Sequence, residues 1–367
     1  MRWAVFSFAL LYSVLAIASA VAAPLMKDFT NQAVTAAVED TVSDVLNAER
    51  NAVRESLTNG TDEDPDDTAE AEDATPTMYR MDGGGDAQIK VAFDGGETVV
   101  EMALEDFVTG SLLAEMPYDF DTEALRAGAV AVRSCAVWHM VTGYGRWTDG
   151  HRGADVCTGT GHCMAYTTEK VLADLYGAEV AAVCYRTIRQ AVEDTAGEVL
   201  IYDGEVCQTV FHAMSEGVTE SSANIWGGYL PYLVSVPAPE DESVPNLYTT
   251  VSVSRASAAE LLREKGYPVS EQDPVSVILD DADYVFRFQF GEASVSGTEA
   301  RFLFGLRSAR FTVADDGETL TFSVSGYGHG VGLSQYGADC LAKQGKTYKE
   351  ILSHYYPGSV PARLFPS

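Results

Sequence analysis

Basic residues are scarce: 24 Lys and Arg stand against 54 Asp and Glu in 367 residues, a formal net charge of -30. A chain this acidic repels nucleic acid, so DNA and RNA are excluded as partners, and anionic lipid head groups attract it little. No Gly-Lys-Ser or Gly-Lys-Thr follows the alternating glycines 326, 328, 330 and 332, which excludes a phosphate loop there. No G-x-S-x-G elbow surrounds Ser215, so the nearby His212 and Ser215 do not read as a serine hydrolase. Internal repeats and a second long apolar run are also missing. Histidine and cysteine number only six each, yet two of each fall in one short loop.

The N-terminus holds the one long apolar stretch. Trp3 to Met26 is almost free of charge, lies between Arg2 and Lys27, and is long enough to cross a bilayer of roughly 30 Å. Ala18-Ser19-Ala20 and Val21-Ala22-Ala23 also offer small-residue cleavage sites. Residues 1–27 therefore read as a transmembrane anchor or a signal peptide, and both place the remainder outside the membrane, single-pass if uncleaved and secreted if cleaved. Residues 28–88 read as an acidic, partly helical or disordered tether: Val34, Val38, Val42, Val45 and Leu46 recur at helical spacing, and eight acids crowd between Thr61 and Asp73. Residues 89–367 are then expected to form one α+β domain, helices packed with mainly antiparallel strands.

Leu104 to Met140 reads as two helices meeting at Pro117. Leu104, Val108, Leu112 and Glu115 share one face of the first, which predicts a carboxyl on an apolar stripe. Desolvation favours the neutral acid, and a carboxyl that keeps its proton near neutral pH can act as a general acid. Asp121 or Thr122 caps the second helix, and Arg126 and Arg133 lie two turns apart on it. Two roles stay open for Glu115: proton donor, or ion-pair partner of one of these arginines. A hydrolytic muramidase would instead use Asp119 or Glu123 as its second carboxylate.

His151, Cys157, His162 and Cys163 fall within thirteen positions of a loop rich in Gly and Thr. Two thiolates and two imidazoles suit a tetrahedral zinc ion, and four protein ligands leave no place for water, so such an ion would be structural. A disulfide is the rival reading, with 15 complete pairings open to six cysteines, but it leaves the two histidines without a purpose.

Farther on, Thr167 to Thr195 has helical patterning, and Asp203-Gly204 joins two alternating runs as a hairpin. Trp226, Tyr229 and Tyr232, with Gly227 and Gly228 among them, read as aromatic faces on an irregular loop, suited to stacking on sugar rings or to plain core packing. Val285 to Val324 reads as several strands with a turn at Asp316-Gly317. The glycine-alternating run leaves His329 and Gln335 as hydrogen-bonding groups, and the last helices part at Gly345 and stop at Pro357-Gly358.

Four separated stretches resemble one family. LEDFVTGSLLAEMP followed by EALRAGAVAVRSCAV, TESSANIWGGYLPYLVSV, GLRSARF, and GYGHGVGLSQYGADCLAKQGKTYKEILSHYYPG occur in the order found in stage II sporulation protein D, a peptidoglycan lytic transglycosylase family of endospore formers. The resemblance implies that Glu115 is catalytic, that Arg126, Arg133, Ser215, Gly217, Trp226, Tyr232, His329 and Gln335 serve the glycan groove, and that His151, Cys157, His162 and Cys163 hold zinc. It further implies peptidoglycan glycan strands as substrate, a cell-wall amidase that strips stem peptides and other engulfment proteins as partners, and a membrane-anchored position facing the forespore septum. Glu216, Val218 and Tyr336 depart from the family's usual pattern, which leaves a glycan-binding scaffold as a further reading.

Overall fold

In the computed structural model, residues 77–365 are described, apart from 148–149, 160–161 and 241–242. The expected anchor and most of the tether lie outside the described residues. Among the described residues no helix is long and apolar enough to cross a membrane. Helices and several small sheets mix along the chain, most strand pairs being antiparallel, and the described residues form two compact units.

The first unit comprises residues 77–120, 139–198 and 362–365. Its hairpin pairs Gln88–Phe93 with Thr98–Ala103 around Asp94–Gly96, as the alternation predicts, and Val156–Cys157 adds in parallel to the other edge. Inside the stretch read as tether, Thr77–Arg80 is a strand that runs parallel to Ala362–Phe365. Local pattern could not announce that strand, because its partner lies almost the whole chain away. The helix α1 (Leu104–Glu115) follows the hairpin directly. The helical stretch after Thr167 is two helices, Glu169–Tyr176 and Ala178–Asp194, parted at Gly177, whose φ of 90° ends a right-handed helix. Arg189 on the second ties to Asp106 of α1 and to its own Glu193, both at 2.8 Å.

The second unit comprises residues 121–138 and 199–361. Most of the helix α2 (Thr122–Thr142) belongs to it, with Leu125, Ala129, Val132 and Ala136 buried as the pattern predicts. Tyr248–Ser254 and Phe311–Asp315 flank Thr319–Ser325 in one antiparallel sheet, and Val275–Leu279, Val285–Phe290 and Ala293–Ser296 make another. Alternation sends Leu320, Phe322, Phe288 and Phe290 into a shared core with Leu262 and Phe304. Burying each such aromatic ring stabilises the fold by about 2–3 kcal/mol. The hairpin at Asp203-Gly204 is present, both residues at positive φ, but its second strand is only Glu205–Val206. The chain then leaves to pair Phe211–His212 in parallel with Leu333–Ser334.

Candidate functional site

In α1, Leu104, Phe107, Val108, Ser111 and Leu112 are buried, so the stripe is as read. Glu115 is the last helical residue, because Met116 must take an extended conformation (φ −121°, ψ 136°) ahead of Pro117. That end position corrects one expectation: the carboxyl is half-buried, at the rim of the stripe and not inside it. One of its oxygens, Oε1, accepts the Ala165 N–H at 2.7 Å.

Ala165 is placed by its neighbours. The Tyr166 ring stacks on Phe107 at 6.0 Å and meets Phe93 edge-on at 5.4 Å. It lies so close over Gly110 that a Cβ there would sit 2.3 Å from the ring. The Thr167 N–H then donates to the Gly110 carbonyl at 3.0 Å. Gly110 is therefore required inside a helix, where glycine normally costs about 1 kcal/mol against alanine.

The same loop, two residues earlier, carries the metal-ligand candidates. His151 Nε2, Cys157 Sγ, His162 Nδ1 and Cys163 Sγ all lie within 4.8 Å of one another. His162 Nδ1 is 3.0 Å from His151 Nε2, 3.5 Å from Cys157 Sγ and 3.3 Å from Cys163 Sγ, and Cys163 Sγ is 3.4 Å from His151 Nε2. Those separations match the edges of a tetrahedron whose bonds are about 2.0–2.3 Å long, so the donor set fits a zinc-like ion. A hydrogen bond from Cys163, the Gly159 amide and the charge of His151 outweigh burial and draw the Cys157 thiol down to about 4, the thiolate a metal requires. All six cysteines are unbridged, which disfavours the disulfide reading. Asp155 braces the loop, accepting from Lys90 N–H at 3.0 Å and Arg146 Nε at 2.8 Å.

The second unit holds the other candidates, and it divides them. Trp226 is 52% exposed and Gly217 is also exposed, while His329 is half-buried 5.2 Å from the Trp226 ring. Trp226 closes a short helix, Ser222–Trp226, capped by Ser221 and ended by Gly227 at φ 74°. That corrects the reading of this segment as wholly irregular; five residues are too few for periodicity to register. Tyr232 is buried, its ring 5.5 Å from Tyr202 and its hydroxyl accepting the Gln208 N–H at 2.9 Å, so it packs and offers no face to a sugar. Ser215, Gln335 and Arg133 are likewise buried. Arg126 pairs with Glu123 at 2.5 Å, and Glu123 also accepts the Tyr348 N–H at 2.6 Å. Glu123 is thereby committed to helix and loop, which weakens it as a second carboxylate.

His212 and Ser215 do meet. His212 Nε2 lies 2.6 Å from Ser215 Oγ, and its Nδ1 donates to the Val331 carbonyl at 3.1 Å. Ser215 N–H donates to Glu240 at 2.8 Å, and the Ser334 hydroxyl donates to the same oxygen. With Ser215 only 1% exposed, no substrate carbonyl reaches it, so this is a structural network. Burial holds His212 down to about 4 and raises the Glu240 carboxyl. The unusual Glu216 has an evident partner: Arg310 pairs with it at 2.8 Å. Sequence reasoning missed Ala165, whose contribution is a backbone N–H, together with Tyr166, Glu240 and Arg310. Of these only Arg310 stands in one of the four stretches that carry the family resemblance.

A half-buried carboxyl held by a loop whose own anchor is a His2Cys2 cluster, on a mixed α/β scaffold, defines a protein with one candidate acid–base group and one candidate ion site. The chain belongs to the stage II sporulation protein D family. A family model described as stage II sporulation protein matches residues 94–202, the span that carries Glu115 and all four cluster residues. Stage II sporulation protein D of Bacillus subtilis (strain 168) is 32% identical over 273 residues, 74% of this chain and 78% of that protein. Its counterpart in Bacillus amyloliquefaciens is 31% identical over 79% of this chain and 81% of its own length. The amidase enhancer of Bacillus subtilis (strain 168) is 26% identical over 68% of this chain and 39% of its own length.

Proposed function

We propose that this protein is a peptidoglycan lytic transglycosylase acting on stem-free glycan strands during forespore engulfment, outside the membrane to which residues 1–27 would attach it. The observation that carries the reading is Glu115: a half-buried carboxyl at a helix end, with Oε1 fixed by the Ala165 N–H. Glu115 protonates the glycosidic oxygen between N-acetylmuramic acid and N-acetylglucosamine, and the carboxylate so formed takes the proton of the muramic 6-hydroxyl as that oxygen attacks the anomeric carbon. The nucleophile belongs to the substrate, so one carboxyl suffices where hydrolases need two. His151, Cys157, His162 and Cys163 would hold zinc, whose contribution is structural: it fixes the loop that presents Ala165.

The test is product mass after digestion of stem-free glycan. Ends of the 1,6-anhydromuramic type are lighter by one water than hydrolytic ends. Finding reducing ends alone would overturn the reading in favour of a muramidase, and no cleavage at all would leave a glycan-binding scaffold.

A further inference from the structure

The loop from Tyr327 to Ser334 carries His329, and one carboxyl holds it at both ends. At its start Met214 exchanges two backbone hydrogen bonds with Tyr327, at 3.2 and 2.8 Å, and the next residue, Ser215, donates its N–H to Glu240 Oε1 at 2.8 Å. At its end the Ser334 hydroxyl donates to the same oxygen. Between these ends the loop lies close against its neighbours because Gly328 and Gly332 lack side chains: a Cβ would sit 2.6 Å from His212 Cβ at the first and 2.1 Å from the Val210 carbonyl oxygen at the second. His329 itself stands 5.2 Å from the half-exposed Trp226 ring. Glu240 therefore fixes the loop that sets His329 beside Trp226.

The other oxygen of Glu240 is unmatched. Oε2 is buried without a hydrogen-bond partner, and so is the Tyr355 hydroxyl. Both crowd Gly337, where a Cβ would meet the Tyr355 oxygen at 2.1 Å and Glu240 Oε2 at 3.0 Å. An ionised carboxylate only 7% exposed, with one bare oxygen, is a costly arrangement. Because Oε1 already accepts two donors and Oε2 none, a proton on Oε2 removes that cost and offers the Tyr355 oxygen a donor. The titratable groups nearby supply no positive charge: the Tyr284 hydroxyl lies 3.3 Å from Ser215 Oγ, burial keeps His212 neutral, and the Cys340 thiol and Tyr356 phenol bear on Tyr355. Burial accordingly outweighs the donations from Ser334 and Ser215 and raises the carboxyl.

We propose that Glu240 is a neutral acid that directs a proton from Oε2 toward the Tyr355 hydroxyl, and that in this form it is the positioning residue for His329 and Trp226, fastening the loop 327–334 at both ends. Its burial keeps it from touching substrate. The role behind the glycan surface rests on the glycan reading above, whereas the proton does not.

The experiment measures binding of stem-free glycan strands at pH 7 by the full chain carrying Glu115→Gln, with a thermal melt alongside so that affinity is expressed per folded molecule. Glu240→Gln presents an N–H where the acid presents its O–H, so affinity should match the parent. Glu240→Ala frees both ends of the loop and should weaken binding at least about tenfold, the equivalent of one misplaced hydrogen-bonding group. Unchanged affinity in Glu240→Ala, with only the melt lowered, overturns the positioning role, and a loss in Glu240→Gln as large as in Glu240→Ala overturns the neutral acid. The proton is also read directly: the carboxyl 13C resonance that disappears in Glu240→Gln should lie at the position of a protonated acid at pH 7, and a carboxylate position overturns the assignment. A parent that binds no glycan removes the glycan reading and the positioning role with it, while the carboxyl resonance still decides the proton. If Glu240→Ala does not fold, Glu240→Asp, one methylene too short to reach both donors, takes its place with the same expectation.

Discussion

Two regions gather polar side chains in this protein, and they do so in opposite ways. In the first unit, the ligand atoms of His151, Cys157, His162 and Cys163 crowd within 4.8 Å of one another. In the second, the donors of His212, Ser215 and Ser334 are met by acceptors, Glu240 Oε1 among them, and only Glu240 Oε2 is left over, on a carboxyl that burial pushes toward its protonated form. Donors met by acceptors call for no ion, whereas two sulfurs and two imidazole nitrogens packed this closely suit a cation. Buried polar groups thus indicate function only through what remains unmatched, and a buried Ser–His contact by itself does not.

The comparison is broken most severely by removing a ligand of the proposed ion. Cys157→Ser or Cys163→Ser should abolish zinc retention and destabilise the first unit by several kcal/mol, because ligand binding energy is folding energy for such a loop. Cleavage should fall with it through loss of the Ala165 anchor. Metal analysis and a thermal melt check this; zinc-free protein with both thiols oxidised would remove the ion from the account.

Glu115→Gln comes next. It keeps the acceptor for Ala165 but removes the transferable proton, so glycan cleavage should drop at least about a hundredfold with binding retained. Full activity in the digest would end the catalytic assignment.

Ser215→Ala sharpens the contrast from the other side. Leaving His212 Nε2 and the Tyr284 hydroxyl, 3.3 Å from Ser215 Oγ, without that partner should cost about 1–3 kcal/mol. Cleavage per folded molecule should not change. A large loss of turnover in a protein of unchanged stability would restore a chemical role to Ser215.

What the sequence disclosed follows from the range of each interaction. The stripe of α1, the two clean hairpin turns and the four-ligand spacing are local, with each pattern written within about twenty residues. The contact that places Glu115 is fifty residues long-range and uses the N–H of an alanine, which any residue but proline would supply. Tyr232 was misread because an aromatic residue in a glycine-rich loop looks the same whether it faces sugar or core; only Tyr202 and Gln208, folded against it, decide. The unmatched Glu240 Oε2 and Tyr355 hydroxyl are equally invisible in one dimension, since being unmatched is a property of the surroundings.

The smallest expected effect lies in a carboxyl pair of the second unit. Glu220 is wholly buried; burial first, and then the neighbouring Asp280 carboxyl, push it up to about 8, against backbone donation from Ser221 and a hydrogen bond from Asn224 at 3.0 Å. A folded pKa above the unfolded value means the native state holds the extra proton. The resulting stability is complete below the ordinary carboxyl range, about 4.5, and is lost as pH rises through about 8. His212 and His329 work in the other direction: burial depresses them to about 4 and about 3, so their contribution is complete above about 6.5 and fades only as pH falls below it. Between pH 6.5 and 8 Glu220 therefore acts without them, and its own contribution should fall by about 2 kcal/mol across that window, opposed there by the depressed Cys157 thiol. Glu220→Gln supplies a permanent N–H toward Asp280 and should remove that contribution, so the difference in stability between the two proteins, in which Cys157 cancels, reports it. Chemical denaturation at half-unit steps of pH, zinc held constant, measures both slopes, and identical slopes in the two proteins would mean that Glu220 does not carry the proton.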